Sequence, residues 1–88
     1  MIDLTLLTQD DCAWCDLAKR LLADLATSLP LEITEVDLTT DAGRELAAEH
    51  RLLFAPGLLH DGRLIAHGRL SERALRRELT RLTTQSTS

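Results

Sequence analysis

The chain has 88 residues, 44% of them hydrophobic, and a formal net charge of −4. This length suits one domain, since the core of a second would need roughly another 50 residues. The negative charge and the presence of only two aromatic residues, Trp14 and Phe54, argue against nucleic-acid binding. No apolar run approaches the roughly 20 residues of a membrane span, and no signal segment follows Met1. A soluble, cytoplasmic, monomeric protein is expected.

A strand followed by a helix is predicted at the start of the chain, with two cysteines where they meet. Residues 2–7 are apolar with partial alternation, which favours a strand. Apolar side chains then recur at three and four residues, as on one face of a helix: Leu17, Ala18, Leu21, Leu22 and Leu25. Cys12 is therefore placed at the N-terminus of this helix and Cys15 one turn inside. Unpaired backbone N–H groups and the helix dipole favour a thiolate there, which is the form that attacks a disulfide.

A second strand and a second helix are predicted after the break at Pro30. Residues 31–38 have the branched apolar residues of a strand. The polar run that follows offers N-cap residues, so a helix is expected over about residues 41–50 with Leu46 and Ala47 on its inner face.

The last third of the chain predicts a hairpin and a helix. Residues 58–65 form two short strands joined by Asp61-Gly62, because a type I′ turn needs positive φ at both central positions. Ser71 can cap a helix with leucines on one face and arginines on the other. The leucines are Leu75, Leu79 and Leu82, and the arginines are Arg73, Arg76, Arg77 and Arg81. The arginine face is expected to be solvated, with docking to an acidic partner as the alternative.

The predicted element order is β-α-β-α-β-β-α. It indicates an α/β fold with a mixed four-stranded sheet and helices on both faces. One domain is expected at residues 1–82, and residues 83–88 are expected to be a flexible C-terminal tail because they carry no apolar anchor.

The cysteine pair indicates catalysis or metal binding, because structural disulfides do not persist in a reducing cytoplasm. Residues three apart on a helix are neighbours, which brings the two sulfurs within bonding distance. A zinc site would need Cys12 and Cys15 with two of His50, His60 and His67, and no His-x(3–5)-His spacing is present. We interpret the pair as redox-active and expect no bound metal; zinc binding and a purely structural role are the alternatives.

Two motifs carry a resemblance to a known family: the C-x-x-C motif after the first strand, and Ala55-Pro56 just before the hairpin. With them, residues 1–82 resemble the thioredoxin superfamily and, within it, the short glutaredoxin-like proteins. The resemblance implies the thioredoxin fold and a cis Pro56 lying against the cysteine pair. It also implies that the backbone of Ala55 contacts an extended substrate; an ordinary loop proline is the alternative. Trp14 is expected either to cover the pair or to present its aromatic face to a partner.

The chain departs from the glutathione-using glutaredoxins in several places. Gln9 stands where they usually have lysine, Ala13-Trp14 replaces Pro-Tyr, and Phe54-Ala55 replaces Thr-Val before the proline. Their Gly-Gly-Asp motif is reduced to Ala-His-Gly-Arg-Leu at residues 66–70. These departures argue against a well-formed glutathione site. The buried carboxylate that thioredoxins carry on the first strand is also absent, so the chain matches neither branch in full.

The sequence therefore predicts a thiol-disulfide oxidoreductase that reduces disulfides or carries electrons without a bound cofactor. Cys12 is the expected nucleophile and Cys15 the resolving residue. Three nearby carboxylates oppose thiolate formation, which favours a reductant: Asp10, Asp11 and Asp16. The expected substrates are protein or small-molecule disulfides, and the reductant is thioredoxin reductase or glutathione. A glutathione-dependent glutaredoxin and a non-catalytic redox-sensing or adaptor module are the alternatives.

Overall fold

The computed structural model describes residues 1–86, which form seven elements in the predicted order. The strands are β1 (Ile2–Thr8), β2 (Leu31–Asp37), β3 (Gly57–His60) and β4 (Arg63–His67), and the helices are α1 (Ala13–Leu25), α2 (Asp41–Glu49) and α3 (Glu72–Ser86). The strands form one sheet in the order β2-β1-β3-β4. β1 is parallel to β2 and antiparallel to β3, and β4 is antiparallel to β3. The predicted mixed four-stranded sheet is confirmed.

The strand directions bring three segments to one edge of the sheet. β1 ends at this edge, β3 begins there, and β4 ends there, because each is antiparallel to its neighbour in that part of the sheet. The start of α1 and the residues that flank β3 and β4 therefore meet at this edge. No helix within residues 1–86 combines the length and the apolar character needed to cross a membrane.

Helices α1 and α3 share the main hydrophobic core on one face of the sheet. Alternate residues of β1 point into it, as expected for a strand. The leucines predicted on the inner face of the last helix are buried, which confirms the spacing. The cluster consists of Ile2, Leu4, Leu6, Ala18, Leu22, Leu25, Leu58, Leu70, Leu75, Leu79 and Leu82.

Helix α2 covers the sheet more thinly. Gly43 is its one buried residue in the described chain, and Leu46 and Ala47 are only partly buried. A Cβ atom at position 43 would clash with the carbonyl group of Asp37, so glycine lets the first turn of α2 approach the end of β2. Thr40 caps the helix by accepting a hydrogen bond of 3.0 Å from the Gly43 N–H.

The β3–β4 hairpin has the predicted turn. Asp61 and Gly62 have φ values of 53° and 77°, as a type I′ turn requires. β4 also contains a β-bulge. Leu64 pairs with Leu59 and Ala66 pairs with Leu58, so Ile65 is the extra residue. The bulge reverses the alternation of β4, so that Leu64 and His67 line the same surface hollow, which is described below.

Helix α3 continues four residues past the predicted boundary at residue 82 and reaches Ser86. The hydroxyl groups of Thr83 and Thr84 donate to the carbonyl oxygens of Leu79 and Thr80, at 2.9 and 3.1 Å. These bonds satisfy the polar side chains within the helix, so the lack of an apolar anchor does not end it. The helix overlaps the expected tail at residues 83–86, and the last two residues of that tail, 87 and 88, lie outside the described residues.

Candidate functional site

Cys12 and Cys15 lie where the sequence predicts, at the start of α1. Cys12 is the N-cap residue and Cys15 lies in the first turn. A disulfide joins them, and their Cα atoms are 5.1 Å apart. The Cys15 N–H donates a hydrogen bond of 3.0 Å to the Sγ atom of Cys12. An N–H donor and a helix N-terminus both favour negative charge on this sulfur once the pair is reduced.

The two sulfur-bearing residues differ in exposure. Cys12 is partly exposed, whereas the exposed fraction of Cys15 is 1%. An incoming disulfide can therefore reach Cys12 but not Cys15. The geometry gives the two residues the unequal access that a nucleophile and a resolving residue require.

Ala55 lies against Cys12, and Pro56 follows it in the chain. The peptide bond between them is cis, which confirms the isomer implied by the resemblance. The Ala55 carbonyl oxygen is 3.9 Å from the Sγ atom of Cys12. A disulfide sulfur carries no proton, so this contact can become a hydrogen bond only when Cys12 is a thiol. Pro56 is fully buried, and its carbonyl accepts a 2.9 Å hydrogen bond from the Gly68 N–H.

Two hollows flank Trp14, whose side chain is 51% exposed. The first, which we call the cysteine hollow, contains Cys12 and is bounded by Gln9, Asp11, Ala13, Trp14, Phe54 and Ala55. The second, which we call the basic hollow, is lined by His50, Arg51, Leu52, Leu53, Leu64, His67 and Gly68, and again by Trp14 and Phe54. The two hollows share two aromatic walls, so together they form one open surface that leads away from Cys12.

No family model and no curated protein matches the sequence. Solved structures match its three-dimensional form. A mutant thioredoxin from Halobacterium salinarum superposes with a TM-score of 0.72 at 22% identity, over 93% of this chain and 74% of that chain. The chain adopts the thioredoxin fold. A thioredoxin from Trypanosoma brucei brucei gives a TM-score of 0.68 at 21% identity, over 93% of this chain and 74% of that one.

A shorter protein matches the thioredoxin fold of this chain over nearly its whole length. Glutaredoxin 1 from Francisella tularensis, solved in complex with cacodylate, gives a TM-score of 0.61 at 13% identity, over 93% of this chain and 96% of that one. At these identities the matches establish the fold. They agree with the thioredoxin fold that the sequence resemblance implies.

Sequence reasoning missed several residues that line the two hollows. Leu53 and Phe54 are 84% and 73% exposed, which is unusual for large apolar side chains. Arg51 and His67 also face the basic hollow, although the sequence gives them no role. Phe54 is one of only two aromatic residues in a leucine-rich chain, and that scarcity was the available signal. Arg51 carries no such signal.

Of the histidines considered for zinc, His50 and His67 both line the basic hollow, and His60 lies elsewhere. The Nδ1 atom of His60 lies 3.2 Å from the Asp3 carbonyl oxygen, at the end of β3 away from the pair. His50 lies 3.9 Å from the carboxylate of Glu49. Among the residues that the structure describes, no three His, Cys, Asp or Glu side chains are grouped to hold a metal ion.

The carboxylates with displaced pKa values lie outside the site. Hydrogen bonds from the backbone N–H and hydroxyl of Thr39 lower the pKa of Asp37 at the end of β2. A hydrogen bond from Arg81 lowers the pKa of Glu78 in α3. Each carboxylate accepts its hydrogen bonds from its own helix or the adjoining turn, so both stabilise local structure.

Proposed function

We propose that this protein is a thiol-disulfide oxidoreductase whose catalytic pair is Cys12 and Cys15. The observation that carries the proposal is a disulfide-linked pair at a helix N-terminus with one partly exposed and one buried cysteine. The thioredoxin fold is consistent with it. The proposed setting is the cytoplasm, where the protein works as a monomer without a bound cofactor.

The reaction proceeds by two thiol-disulfide exchanges. The Cys12 thiolate attacks one sulfur of a substrate disulfide; a bond forms to Cys12, the substrate S–S bond breaks, and one substrate thiolate leaves and takes a proton from water. Cys15 then loses its proton to water and attacks the Sγ atom of Cys12. The second substrate thiolate leaves and is protonated. Two electrons and two protons reach the substrate, and the cysteine pair becomes a disulfide.

Residues around the pair position the substrate. The Ala55 carbonyl, close to Cys12, is placed to accept a hydrogen bond from the backbone of an extended substrate. Pro56, joined to Ala55 by the cis bond, is fully buried. Trp14 presents a half-exposed aromatic face beside the reacting sulfur. These three residues are the proposed substrate-binding set.

Turnover tests the proposal. The wild-type protein is expected to reduce insulin or a small disulfide catalytically when a reductant is supplied, and Cys12→Ser is expected to abolish the activity. Arg76→Gln, on the exposed face of α3, is the matched control and should retain it. A protein that is oxidised once and then stops would be a redox sensor or adaptor, which contradicts the enzymatic proposal.

A glutathione-dependent glutaredoxin is the second candidate, favoured by the match over 96% of the Francisella tularensis glutaredoxin. The two candidates differ in the reductant that restores the dithiol. The oxidised protein is incubated separately with glutathione and with NADPH plus a thioredoxin reductase. Reduction by the reductase alone supports a thioredoxin-like electron carrier. Rapid reduction by glutathione through a mixed disulfide on Cys12 supports the glutaredoxin.

A further inference from the structure

The exposed apolar side chains of this protein are concentrated beside the cysteine pair. Within residues 1–86, the exposed large hydrophobic residues are Met1, Trp14, Leu53 and Phe54. All but Met1 line the two hollows. Burying such side chains in a complex is favourable, and aromatic residues in particular are common at the centre of protein interfaces. We call this group, Trp14, Leu53 and Phe54, the apolar ridge.

The charges at the two ends of the ridge have opposite signs. The cysteine hollow is bounded by the carboxylate of Asp11 and has no basic residue in its lining. The basic hollow is lined by Arg51 and two histidines and has no acidic residue in its lining. Arg51 makes no ion pair with another described residue. Its guanidinium group therefore remains available for an anion from outside the chain.

Arg51 has a backbone conformation that favours glycine. Its φ value is 54°, in the left-handed region. Its N–H donates to the Ala48 carbonyl at 3.2 Å, and the Leu52 N–H donates to the Ala47 carbonyl at 2.8 Å, which is the Schellman pattern that ends α2. This arrangement needs a left-handed residue but not an arginine. A strained non-glycine residue that lines a hollow adjoining the cysteine hollow points to a binding role.

We propose that the substrate is an extended segment of another protein, with an apolar side chain next to its disulfide cysteine and a carboxylate further along. This inference rests on the proposed function of Cys12. The cysteine sulfur lies at Cys12, the apolar side chain packs on the ridge, and the carboxylate faces Arg51 in the basic hollow. The carboxylate of Asp11 in the cysteine hollow disfavours the reverse orientation, in which the substrate carboxylate would lie there. The charge pattern therefore selects both the sequence and the direction of the bound segment.

Peptide disulfides of matched length test the proposal in single-turnover reactions with the pre-reduced protein. The peptides carry the same apolar residue beside the cysteine and differ in having glutamate, glutamine or lysine further along. The second-order rate constant is expected to be about three- to tenfold higher for glutamate than for lysine at low salt, and to converge at high salt. Equal rates for the three peptides at low salt would overturn the proposal.

Three variants assign the effect to Arg51. Arg51→Gly removes the charge and keeps the left-handed backbone, so the protein folds while its preference for glutamate is lost. Arg51→Lys keeps the charge and should keep most of the preference. Arg76→Gln removes an arginine from α3, away from both hollows, and should leave the preference unchanged. A preference that survives Arg51→Gly contradicts the assignment.

Two further arms separate this inference from the proposed function. Glutathione disulfide is reacted in parallel: if it is reduced faster than the glutamate peptide and depends equally on Arg51, the basic hollow serves a small thiol and the protein-segment proposal fails. Binding is also followed without chemistry, using the Cys12→Ser variant, cysteine-free peptides and the fluorescence of Trp14, the single tryptophan. Selective binding of the glutamate peptide supports the proposed role of the ridge and the basic hollow, even if no peptide is reduced. Binding without charge preference overturns that role.

Discussion

The two faces of the sheet are built differently. On the face shared by α1 and α3, leucines from two helices and two strands are almost completely buried. On the α2 face, the helix buries only Gly43 among its described residues, and the adjoining segment leaves Leu53 and Phe54 exposed. The first face accounts for most of the apolar burial, and therefore for most of the stabilisation of the fold. On the second face apolar side chains remain exposed, and this exposed surface lies beside Cys12.

This division indicates that stability and substrate selection can be changed separately. A substitution in the α1–α3 core should lower the free energy of unfolding without altering which substrate is preferred. A substitution on the exposed side of α2 and its following segment should change which substrate is preferred without lowering the free energy of unfolding. The predictions below compare the two faces, beginning with the largest expected effect.

The same truncation should differ in cost between the faces. Leu79→Ala removes a fully buried side chain from the α1–α3 core and is expected to lower the free energy of unfolding by about 2 to 5 kcal/mol. Leu46→Ala on α2 removes a partly buried side chain and should cost about 1 kcal/mol or less. Urea denaturation followed by circular dichroism measures both. Equal losses would mean that α2 contributes as much core as α3.

Gly43 is the point of closest contact on the α2 face. Gly43→Ala adds a Cβ atom that meets the backbone of Asp37, and overpacking of this kind costs about 1 to 3 kcal/mol. Helix propensity alone predicts the opposite sign, a gain of about 1 kcal/mol. Thermal unfolding distinguishes the two effects, and an increase in Tm would show that α2 can move away from β2 at no cost.

Arg51 should show the cost of its backbone conformation. Arg51→Gly is expected to raise the free energy of unfolding by about 1 kcal/mol, because glycine has no penalty at positive φ. Arg44→Gly, the same substitution inside α2, should lower it by about 1 kcal/mol. Denaturant titrations of both variants test this pair. A destabilised Arg51→Gly would mean that the arginine side chain makes contacts that outweigh the strain.

The smallest effect concerns pH and the loop that leads into α2. The pKa of Asp37 is lowered in the folded state by hydrogen bonds from Thr39. Its contribution to stability is therefore present above the pKa of the unfolded state and is lost as the pH falls through the folded value. Asp37→Asn should show a weaker loss of stability on acidification than the wild type. Parallel pH profiles of the two proteins would contradict this.

Features with a local cause could be predicted from the sequence. The turn at Asp61-Gly62 follows from the positive φ that it requires, and the position of Cys12 follows from the helical spacing behind it. The leucines of α3 were identified by their spacing for the same reason. The isomer of the bond before Pro56 came from the family resemblance, because most such bonds are trans.

Features that depend on tertiary contacts could not be predicted. The bulge at Ile65 depends on how β4 pairs with β3, and an apolar run does not show where pairing will slip. The left-handed Arg51 occupies a position where the usual signal is glycine. The exposure of Leu53 and Phe54 contradicts their hydrophobic character, and only the structure shows that nothing in the described chain covers them.

The most direct test of the central claim is to identify which cysteine is attacked first. Reduced Cys15→Ser and Cys12→Ser are each mixed with a disulfide substrate, and the adduct is measured by intact-protein mass spectrometry. Because Cys12 is accessible and Cys15 is 1% exposed, Cys15→Ser should accumulate a one-to-one mixed disulfide that persists, and Cys12→Ser should form almost none. Equal or faster adduct formation by Cys12→Ser would contradict the assignment of Cys12 as nucleophile.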